Sequence, residues 1–388
     1  MAAIRSVQIP QADLATEDRG SLDLTVLIPV LLLVALGVSM VFSASIPMAA
    51  LRESEDIYYY LKRELLFAAA GLAAMYWMTR VSMDAIRRYA GWLLAFTLLF
   101  LTLVFVVGVR INGARSWLPI PGTNLLFQPS EMAKIVLVIV AARYFSKFPQ
   151  GLSNWRRALP PFAVLGSTAA LIAVQPDMGT AAVIVVAMLA YFHIAGAKLR
   201  HLGAAAAATF SLAALMIWRN PYQLERITNF ILRIKTPAEG DYHTTQSLIA
   251  MGSGGLTGYG YCGSIEKYFY LPAAITDSIL AVIGEELGFI TVSAVLALFA
   301  VLAWRGVTIA KNAPDRFSGL VAAGVTITLV TQALLNIAVV TGSFPATGVP
   351  LPFVSYGGSS LLFSLIGVGL LLNVAGRQPA AQPRQEYL

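Results

Sequence analysis

Residues 24–46 read LTVLIPVLLLVALGVSMVFSASI, an apolar run that contains no Asp, Glu, Lys or Arg. As a helix this run would extend for about 34 Å at 1.5 Å per residue, enough to cross the ~30 Å hydrocarbon core of a bilayer. It is too long for the core of a signal peptide, and no clear cleavage site follows it. We therefore interpret it as a retained membrane helix.

The same pattern recurs along the chain, and the composition agrees with it. Hydrophobic residues make up 57% of the 388 residues and charged residues 12%, whereas soluble proteins carry about 25% charged residues. The sequence therefore predicts an all-α polytopic membrane protein with about ten transmembrane helices. The predicted spans are 24–46, 62–80, 91–110, 131–147, 159–175, 179–197, 202–218, 277–304, 317–341 and 359–376.

Lys and Arg are concentrated in alternate connections, which predicts the orientation of the chain. The richer side includes Arg87 and Arg156 and also holds both termini, so both termini are predicted to be cytoplasmic. The net charge of +7 arises mostly in these connections, without a basic tract with interleaved aromatics, so nucleic acid is not predicted as a partner. The predicted division is a cytoplasmic tail at 1–23, one membrane domain at 24–376 and a second cytoplasmic tail at 377–388.

The longest connection, 219–276, joins spans seven and eight and is predicted to be extracytoplasmic. Loops of this length are usually functional or disordered, and this one is not of low complexity. It begins with an amphipathic stretch around Leu224 and Ile227, suited to the membrane surface. The run GSGGLTGYG at 252–260 lacks the strand and the Lys of a nucleotide-binding loop, so we interpret it as close-packed backbone.

Three carboxylates follow this loop. Asp277 stands at the mouth of span eight, where a carboxylate can act as a general base, although position alone favours a helix cap or first-turn acid. Glu285 and Glu286 lie about 12 Å deeper on that helix. Charges inside a span mark function by default, but an internal hydrogen bond or ion pair that locks the bundle explains them equally well.

Further polar residues lie on the predicted outer side. Glu131 and Lys134 open span four, either as a capping acid with an i,i+3 pair or as a site in which Lys134 binds a phosphate. Arg115 can clamp a pyrophosphate, and Asp177, between spans five and six, is predicted to be a turn residue. Ser355 lies in an uncharged segment that can be re-entrant.

Metal centres of the common kinds are not predicted. The chain has one cysteine, Cys262, and three scattered histidines, so no zinc or haem site is indicated.

Taken in order, these motifs resemble the SEDS family, the shape, elongation, division and sporulation proteins. The resemblance covers roughly residues 25–376. The motifs that carry it are NGA at 112–114, QPSE at 128–131, QPD at 175–177, QSL at 246–248, GSGGL at 252–256, YLP and TD within 270–277, EELG at 285–288 and PFVSYGGSS at 352–360.

The resemblance implies a peptidoglycan glycosyltransferase. Such a protein polymerises lipid II into β-1,4 glycan strands at the outer face of the cytoplasmic (inner) membrane, during cell division or elongation. It works with a class B penicillin-binding transpeptidase and other divisome or elongasome membrane proteins. The family's essential carboxylate falls at Asp277. The stretch 40–45, the QSL motif and the Gly-Gly-Ser-Ser ending resemble the division branch more closely.

Within that reading, the other polar residues become substrate-binding candidates, and a divalent cation, Mg or Mn, is a candidate cofactor for the leaving pyrophosphate. The predicted substrate-binding residues are Lys134, Glu131, Arg115, Glu285, Glu286 and Ser355. Two alternatives remain. A lipid II flippase would need a charged path through the membrane, and a scaffold would only recruit other proteins of the cell-wall machinery.

The chain departs from the family pattern around the key carboxylate. Ala273, Ile275 and Ser278 stand where the family commonly has Glu, His and Phe. His243 stands in place of a Gln, and Ser116 in place of an Arg. Asp277 itself is retained, so its surroundings are predicted to differ from those of a typical member.

Overall fold

The computed structural model describes residues 22–51, 56–111, 114–148, 154–219, 221–236 and 241–378. Most of the predicted tail 1–23, residues 379–388 of the second tail, and Asn112 and Gly113 of the NGA motif lie outside these residues. Within them the chain forms twelve helices and three short strands. The elements are α1 Leu24–Ala50, α2 Tyr59–Met78, α3 Met83–Val107, β1 Val109–Ile111, β2 Ala114–Pro119, β3 Leu126–Phe127, α4 Pro129–Phe145, α5 Trp155–Val174, α6 Met178–Ala195, α7 Leu199–Arg219, α8 Pro221–Lys235, α9 Tyr242–Ser253, α10 Ile279–Lys311, α11 Arg316–Val340 and α12 Gly358–Ala375.

Each of the ten predicted spans coincides with one helix, so the predicted fold class is confirmed. Eight of the helices are long and apolar enough to cross a membrane. The other two predicted spans are α2, which carries Lys62, Arg63 and Glu64 near its start, and α4, which has 17 residues. Span three begins earlier than predicted, at Met83, because the Ser82 hydroxyl accepts the backbone N–H of Ala85 and caps α3.

Helix α11 lies at the centre of the bundle. It packs against α4, α6, α9, α10 and α12, while α1 and α2 pack against α10 and α12 respectively. In contrast, α7 is largely exposed along its length, and His201 is its buried residue. The residues that α11 presents to its neighbours are therefore the best placed to connect distant parts of the chain.

The three strands form a feature that the sequence reading did not include. They make a small antiparallel sheet in the order β1-β2-β3, between α3 and α4. Hydropathy missed it because the strands are short: β1 overlaps the predicted end of span three, whereas β2 and β3 lie outside the apolar runs. The sheet fixes the direction from which the chain enters α4.

The long predicted loop contains two helices, the amphipathic α8 and the short α9, followed by the glycine run. This run packs against a break in α10 at Gly288, where φ is 74°. The backbone N–H groups of Tyr259 and Gly260 donate to the carbonyls of Glu285 and Glu286 at 3.0 and 2.9 Å. A Cβ at Gly258 would lie 2.1 Å from the Glu286 carbonyl oxygen, so the interpretation as close-packed backbone is confirmed.

Candidate functional site

Two polar side chains on α11 bring separate parts of the candidate site together. The Asn336 side-chain amide donates to the carbonyls of Asp277 and Val349, each at 2.8 Å. One turn earlier, Gln332 accepts a hydrogen bond from the Lys134 ammonium and donates to the Pro350 carbonyl at 2.9 Å. Four residues on a helix are separated by about 6 Å along its axis. Helix α11 therefore binds the Asp277 backbone and the Lys134 ammonium through side chains that lie one turn apart.

Asp277 lies just before α10 and is 7% exposed. Its Oδ1 accepts from the Thr276 hydroxyl at 3.0 Å, and its Oδ2 lies 3.6 Å from His243 Nε2. The N-cap position of α10 belongs to Ser278, one residue later, so the geometry does not favour the capping alternative for Asp277. The carboxylate instead lies 3.6 Å from His243 of α9.

Glu131 and Lys134 form a buried ion pair at the start of α4. Lys134 Nζ lies 2.7 Å from Glu131 Oε2. Glu131 is 2% exposed and Lys134 4%. Burying an ammonium is costly unless it is paired and hydrogen-bonded, and here both Glu131 and Gln332 supply partners. The ion pair that the i,i+3 spacing predicts is therefore formed. Lys134 also contacts Gln332 of α11, which the spacing alone did not indicate.

Asp177 extends this polar group. It caps α6 by accepting from the Thr180 N–H at 3.2 Å, consistent with its predicted place in a turn. Its other oxygen accepts from the Gln128 side chain at 2.9 Å. Burial raises the pKa of Asp177 above its ordinary value, and the nearby Glu131 carboxylate acts in the same direction.

Arg115 is turned toward the end of α3. Its guanidinium donates to the carbonyls of Phe105, Val106 and Gly108 at 2.7, 2.8 and 2.8 Å. A cation on the last carbonyls of a helix satisfies acceptors that have no partner within the helix, and it complements the helix dipole. Three of its five N–H donors are thus used within the protein.

Glu285 and Glu286 are fully enclosed and hold the loop that precedes Asp277. Glu285 accepts from the Ile265 N–H at 2.8 Å and from the Ser264 hydroxyl. Glu286 pairs with Lys267 at 2.8 Å, and both side chains are 0% exposed. It also accepts from the Ser43 hydroxyl of α1 at 2.7 Å. These contacts match the locking interpretation of the two deep acids.

The loop held by Glu285 and Glu286 also contains a carboxyl with a shifted pKa, that of Glu266. Burial raises the pKa of Glu266, and the charge of the neighbouring Glu285 adds to this. Lys267 Nζ donates in addition to the Cys262 carbonyl at 2.8 Å and the Ser43 hydroxyl at 3.1 Å. One ammonium therefore ties the loop to both α1 and α10.

Ser355 lies in a buried, non-helical segment between α11 and α12. Its hydroxyl accepts from the Leu351 N–H at 2.8 Å and so closes a local turn. The next residue, Tyr356, donates its N–H to the Ile275 carbonyl at 2.8 Å, which connects this segment to the residues before Asp277. Buried irregular backbone must be satisfied by the protein, and these bonds do so.

Sequence reasoning missed three residues of this arrangement: His243, Gln332 and Asn336. The last two had a signal, because a Gln and an Asn spaced four residues apart lie on one face of an otherwise apolar helix. His243 was noted only as a departure from a motif. Among the residues that the structure describes, no three His, Cys, Asp or Glu side chains are grouped so that they could hold a metal ion.

A comparison with known protein families shows the family of this chain. A family model described as "Cell cycle protein", for FtsW, RodA and SpoVE, matches residues 23–379. The chain belongs to this family. Together with the eight long apolar helices among its described residues, this makes it a multi-pass protein of the cytoplasmic membrane.

Individual members of the SEDS family are similar over nearly their whole length. The chain is 38% identical to the stage V sporulation protein E of Bacillus subtilis, covering 93% of this chain and 98% of that protein. It is 38% identical to a probable peptidoglycan glycosyltransferase FtsW of a Thioalkalivibrio species, covering 97% and 95%.

Solved structures show the same fold. A chain from a peptidoglycan synthase complex, described as coordinating polymerization and crosslinking, matches with a TM-score of 0.71 at 28% identity, covering 91% of this chain and 97% of that one. The rod shape determining protein RodA of Thermus thermophilus matches with a TM-score of 0.66 at 28% identity, covering 91% and 96%.

Proposed function

We propose that this SEDS protein is a peptidoglycan glycosyltransferase that polymerises lipid II into β-1,4 glycan strands at the outer face of the membrane. The observation that carries the proposal is that neighbouring turns of α11 bind the Asp277 backbone carbonyl and the Lys134 ammonium, which is paired with Glu131. A carboxylate and a buried cation anchored to the same helix suit a reaction that removes one proton and releases an anionic leaving group. Relatives named as probable peptidoglycan glycosyltransferases support it.

The proposed reaction is a single displacement. The acceptor sugar hydroxyl attacks the anomeric carbon of the donor, whose bond to the lipid pyrophosphate breaks, and the α-linked donor becomes a β-linked product. Asp277 takes the hydroxyl proton, while the electron pair of the broken bond leaves on the pyrophosphate. One general base is enough, because a pyrophosphate does not require protonation to leave, unlike the alcohol released in glycoside hydrolysis.

Lys134 is proposed to bind the pyrophosphate, with Glu131 fixing its position. Both are buried near the start of α4, where the positive end of the helix dipole also favours an anion. The other four candidates are proposed to make contacts within the protein and not to bind substrate: Arg115 binds the end of α3, Glu285 and Glu286 hold the loop, and Ser355 closes its turn. Lys134 and Glu131 are thus the two predicted substrate-binding residues that the proposal keeps.

A divalent cation is not built into this mechanism. The described residues offer no group of three or more His, Cys, Asp or Glu side chains that could hold one. Magnesium is typically held by one or two carboxylates together with substrate phosphates, so an ion that arrives with the lipid pyrophosphate fits the proposal. Chelation with EDTA followed by added Mg²⁺ or Mn²⁺ measures this requirement directly.

A class B penicillin-binding transpeptidase is proposed as the partner. The structural neighbour with a TM-score of 0.71 comes from a complex described as coordinating polymerization and crosslinking. A role in division rather than elongation is supported by the relatives named FtsW.

The decisive assay is polymerisation of fluorescent lipid II by the purified full-length protein, with and without a transpeptidase partner. Positioned general bases contribute about 10²–10⁴-fold in rate, so Asp277→Asn should lower the rate by at least about a hundredfold. The matched control is Asp84→Asn, which removes an exposed carboxylate from the first turn of α3 and should polymerise like the parent. Parental rates for Asp277→Asn would refute Asp277 as the base.

Lipid II translocation in vesicles and growth of the variant strains separate the alternatives. A flippase would move lipid II across vesicles without forming polymer, but Glu285 and Glu286, the two acids that offered a charged path, are engaged by the loop. A scaffold would sustain growth with Asp277→Asn while deletion of the protein would not.

A further inference from the structure

His243 approaches Asp277 from a separate helix. We propose that His243 is a positioning residue, which fixes the Asp277–Ser278 segment and thereby orients the Asp277 carboxylate for deprotonation of the acceptor. This inference rests on the proposed function, because it gives His243 a role toward the proposed base. It concerns a residue that the family resemblance does not supply, since the family has Gln at this position.

The hydrogen bonds of Ser278 determine which ring nitrogen of His243 carries a proton. The Ser278 hydroxyl donates to the Pro272 carbonyl at 3.1 Å, and its oxygen lies 2.9 Å from His243 Nε2. A hydroxyl has one hydrogen, and we assign it to the Pro272 carbonyl, the partner that can only accept. The Ser278 oxygen therefore acts as the acceptor toward the ring, and Nε2 carries the hydrogen.

The Nε2–H group then donates to Ser278 and approaches Asp277 without forming a hydrogen bond to it. It points to the Ser278 oxygen at 2.9 Å and lies 3.6 Å from Asp277 Oδ2. The other carboxylate oxygen, Oδ1, accepts from Thr276. Thr276 therefore donates to one oxygen of Asp277 while the His243 ring lies against the other, and the two contacts limit rotation of the carboxylate. Each oxygen keeps a second lone pair for a substrate hydroxyl.

The opposite nitrogen of the ring indicates that the position is not explained by packing alone. His243 Nδ1 is buried and makes no hydrogen bond to any residue that the structure describes. A buried polar atom without a partner lowers stability, so its retention calls for another reason. The contact of Nε2 with the Asp277–Ser278 pair supplies that reason.

The helix that carries His243 is anchored well enough to position it. Asp241 caps α9 by accepting from the Thr244 N–H at 3.3 Å and its hydroxyl at 3.1 Å. Helix α9 packs along α10, where Met251 contacts Gly284. The sequence also links the pair, because both His243 and Ser278 depart from the family pattern and the structure places them in contact.

The test compares kcat and KM for lipid II in the full-length protein carrying His243→Ala, His243→Gln or His243→Asn, with Asp277→Asn measured in parallel. A hydrogen bond between neutral groups has an effect of up to about tenfold, so His243→Ala, which removes the bond to Ser278, should lower kcat by about tenfold and leave KM within about twofold. Glutamine places an amide N–H near the position of Nε2, so His243→Gln should stay within about threefold of the parent. Asparagine is too short to reach and should behave like alanine.

The outcomes separate this inference from the function on which it rests. A parental kcat for His243→Ala, a change confined to KM, or a Gln variant no better than the Asn variant would each overturn the positioning role. If Asp277→Asn polymerises at the parental rate, Asp277 is not the general base. The positioning role of His243, which depends on that assignment, is then refuted as well. If the alanine variant does not fold, the comparison of Gln with Asn still decides, because both retain a polar side chain.

Discussion

Lys267 allows the sharpest test of the loop contacts, because its ammonium is the cation that neutralises buried Glu286. The two side chains are 0% exposed and their charged atoms are 2.8 Å apart. At an effective dielectric constant of about 20, two such charges attract each other by about 6 kcal/mol. Lys267→Met removes this attraction but leaves the neutral donors Ser43 and Cys262 on the carboxylate. The expected loss in the free energy of unfolding is about 3–5 kcal/mol.

The assay is unfolding in mixed detergent micelles, followed by the fluorescence of the six tryptophans. The control is Lys62→Met, which breaks an exposed pair with Asp56 at the same kind of distance, 2.9 Å, where the lysine side chain is 68% exposed. Such surface pairs contribute about 0–1 kcal/mol. A loss below about 1 kcal/mol for Lys267→Met, equal to that of the control, would refute the interpretation that the Lys267–Glu286 ion pair holds the loop against the helices.

A double variant tests the cause of the loss. In Lys267→Met/Glu286→Gln the uncompensated charge is absent, while the Gln carbonyl still accepts from one of the former donors. Replacing both partners of a buried ion pair is far less costly than removing one. The double variant should therefore recover about 2 kcal/mol relative to Lys267→Met, and a further loss instead would show that packing around the lysine stem, not charge, is what matters.

Two further predictions concern the backbone and Arg115. Gly258→Ala should lower the free energy of unfolding by at least about 2 kcal/mol, because φ is 78° and the new Cβ would lie 2.1 Å from a carbonyl oxygen. The control is Gly260→Ala, where φ is also positive, 94°, but the space around the new Cβ is open, so the loss should be about 1 kcal/mol. Thermal unfolding measures both. Arg115→Ala should lower stability by about 1–3 kcal/mol through loss of the α3 cap and leave KM for lipid II within about twofold. A tenfold rise in KM would instead return Arg115 to the pyrophosphate.

The spans were predictable because they depend on local properties of the chain. Length and lack of charge define them, and the ten predicted runs each contain a helix. The charged start of α2 shows the limit of this signal. Glu64 is buried with 1% exposure although the residues before it are basic, so its burial depends on packing against other helices and not on hydropathy.

The site was only partly predictable because its contacts join residues far apart in the chain. Lys134 and Gln332 are separated by 198 positions, and Ser43 and Glu286 by 243. Spacing rules reach only three or four residues along a helix, so they found the Glu131–Lys134 pair but not its third member. The acid at 277 was identified by its place in a motif, whereas its neighbour His243 became visible only when α9 was placed against α10.

The two deep acids show why charge inside a span is ambiguous evidence. Glu286 lies about 13 Å from Asp277 along α10 at 1.5 Å per residue, and α10 breaks at Gly288 just beyond it. The loop contacts therefore hold the segment of α10 that begins at the proposed base. A precisely positioned base needs such support from residues that never touch the substrate. Loss of activity on removing Glu286 alone would thus fit both a substrate contact and a lost support. Recovery of activity together with stability in the Lys267→Met/Glu286→Gln variant would favour support, because a lost substrate contact would not return with the fold.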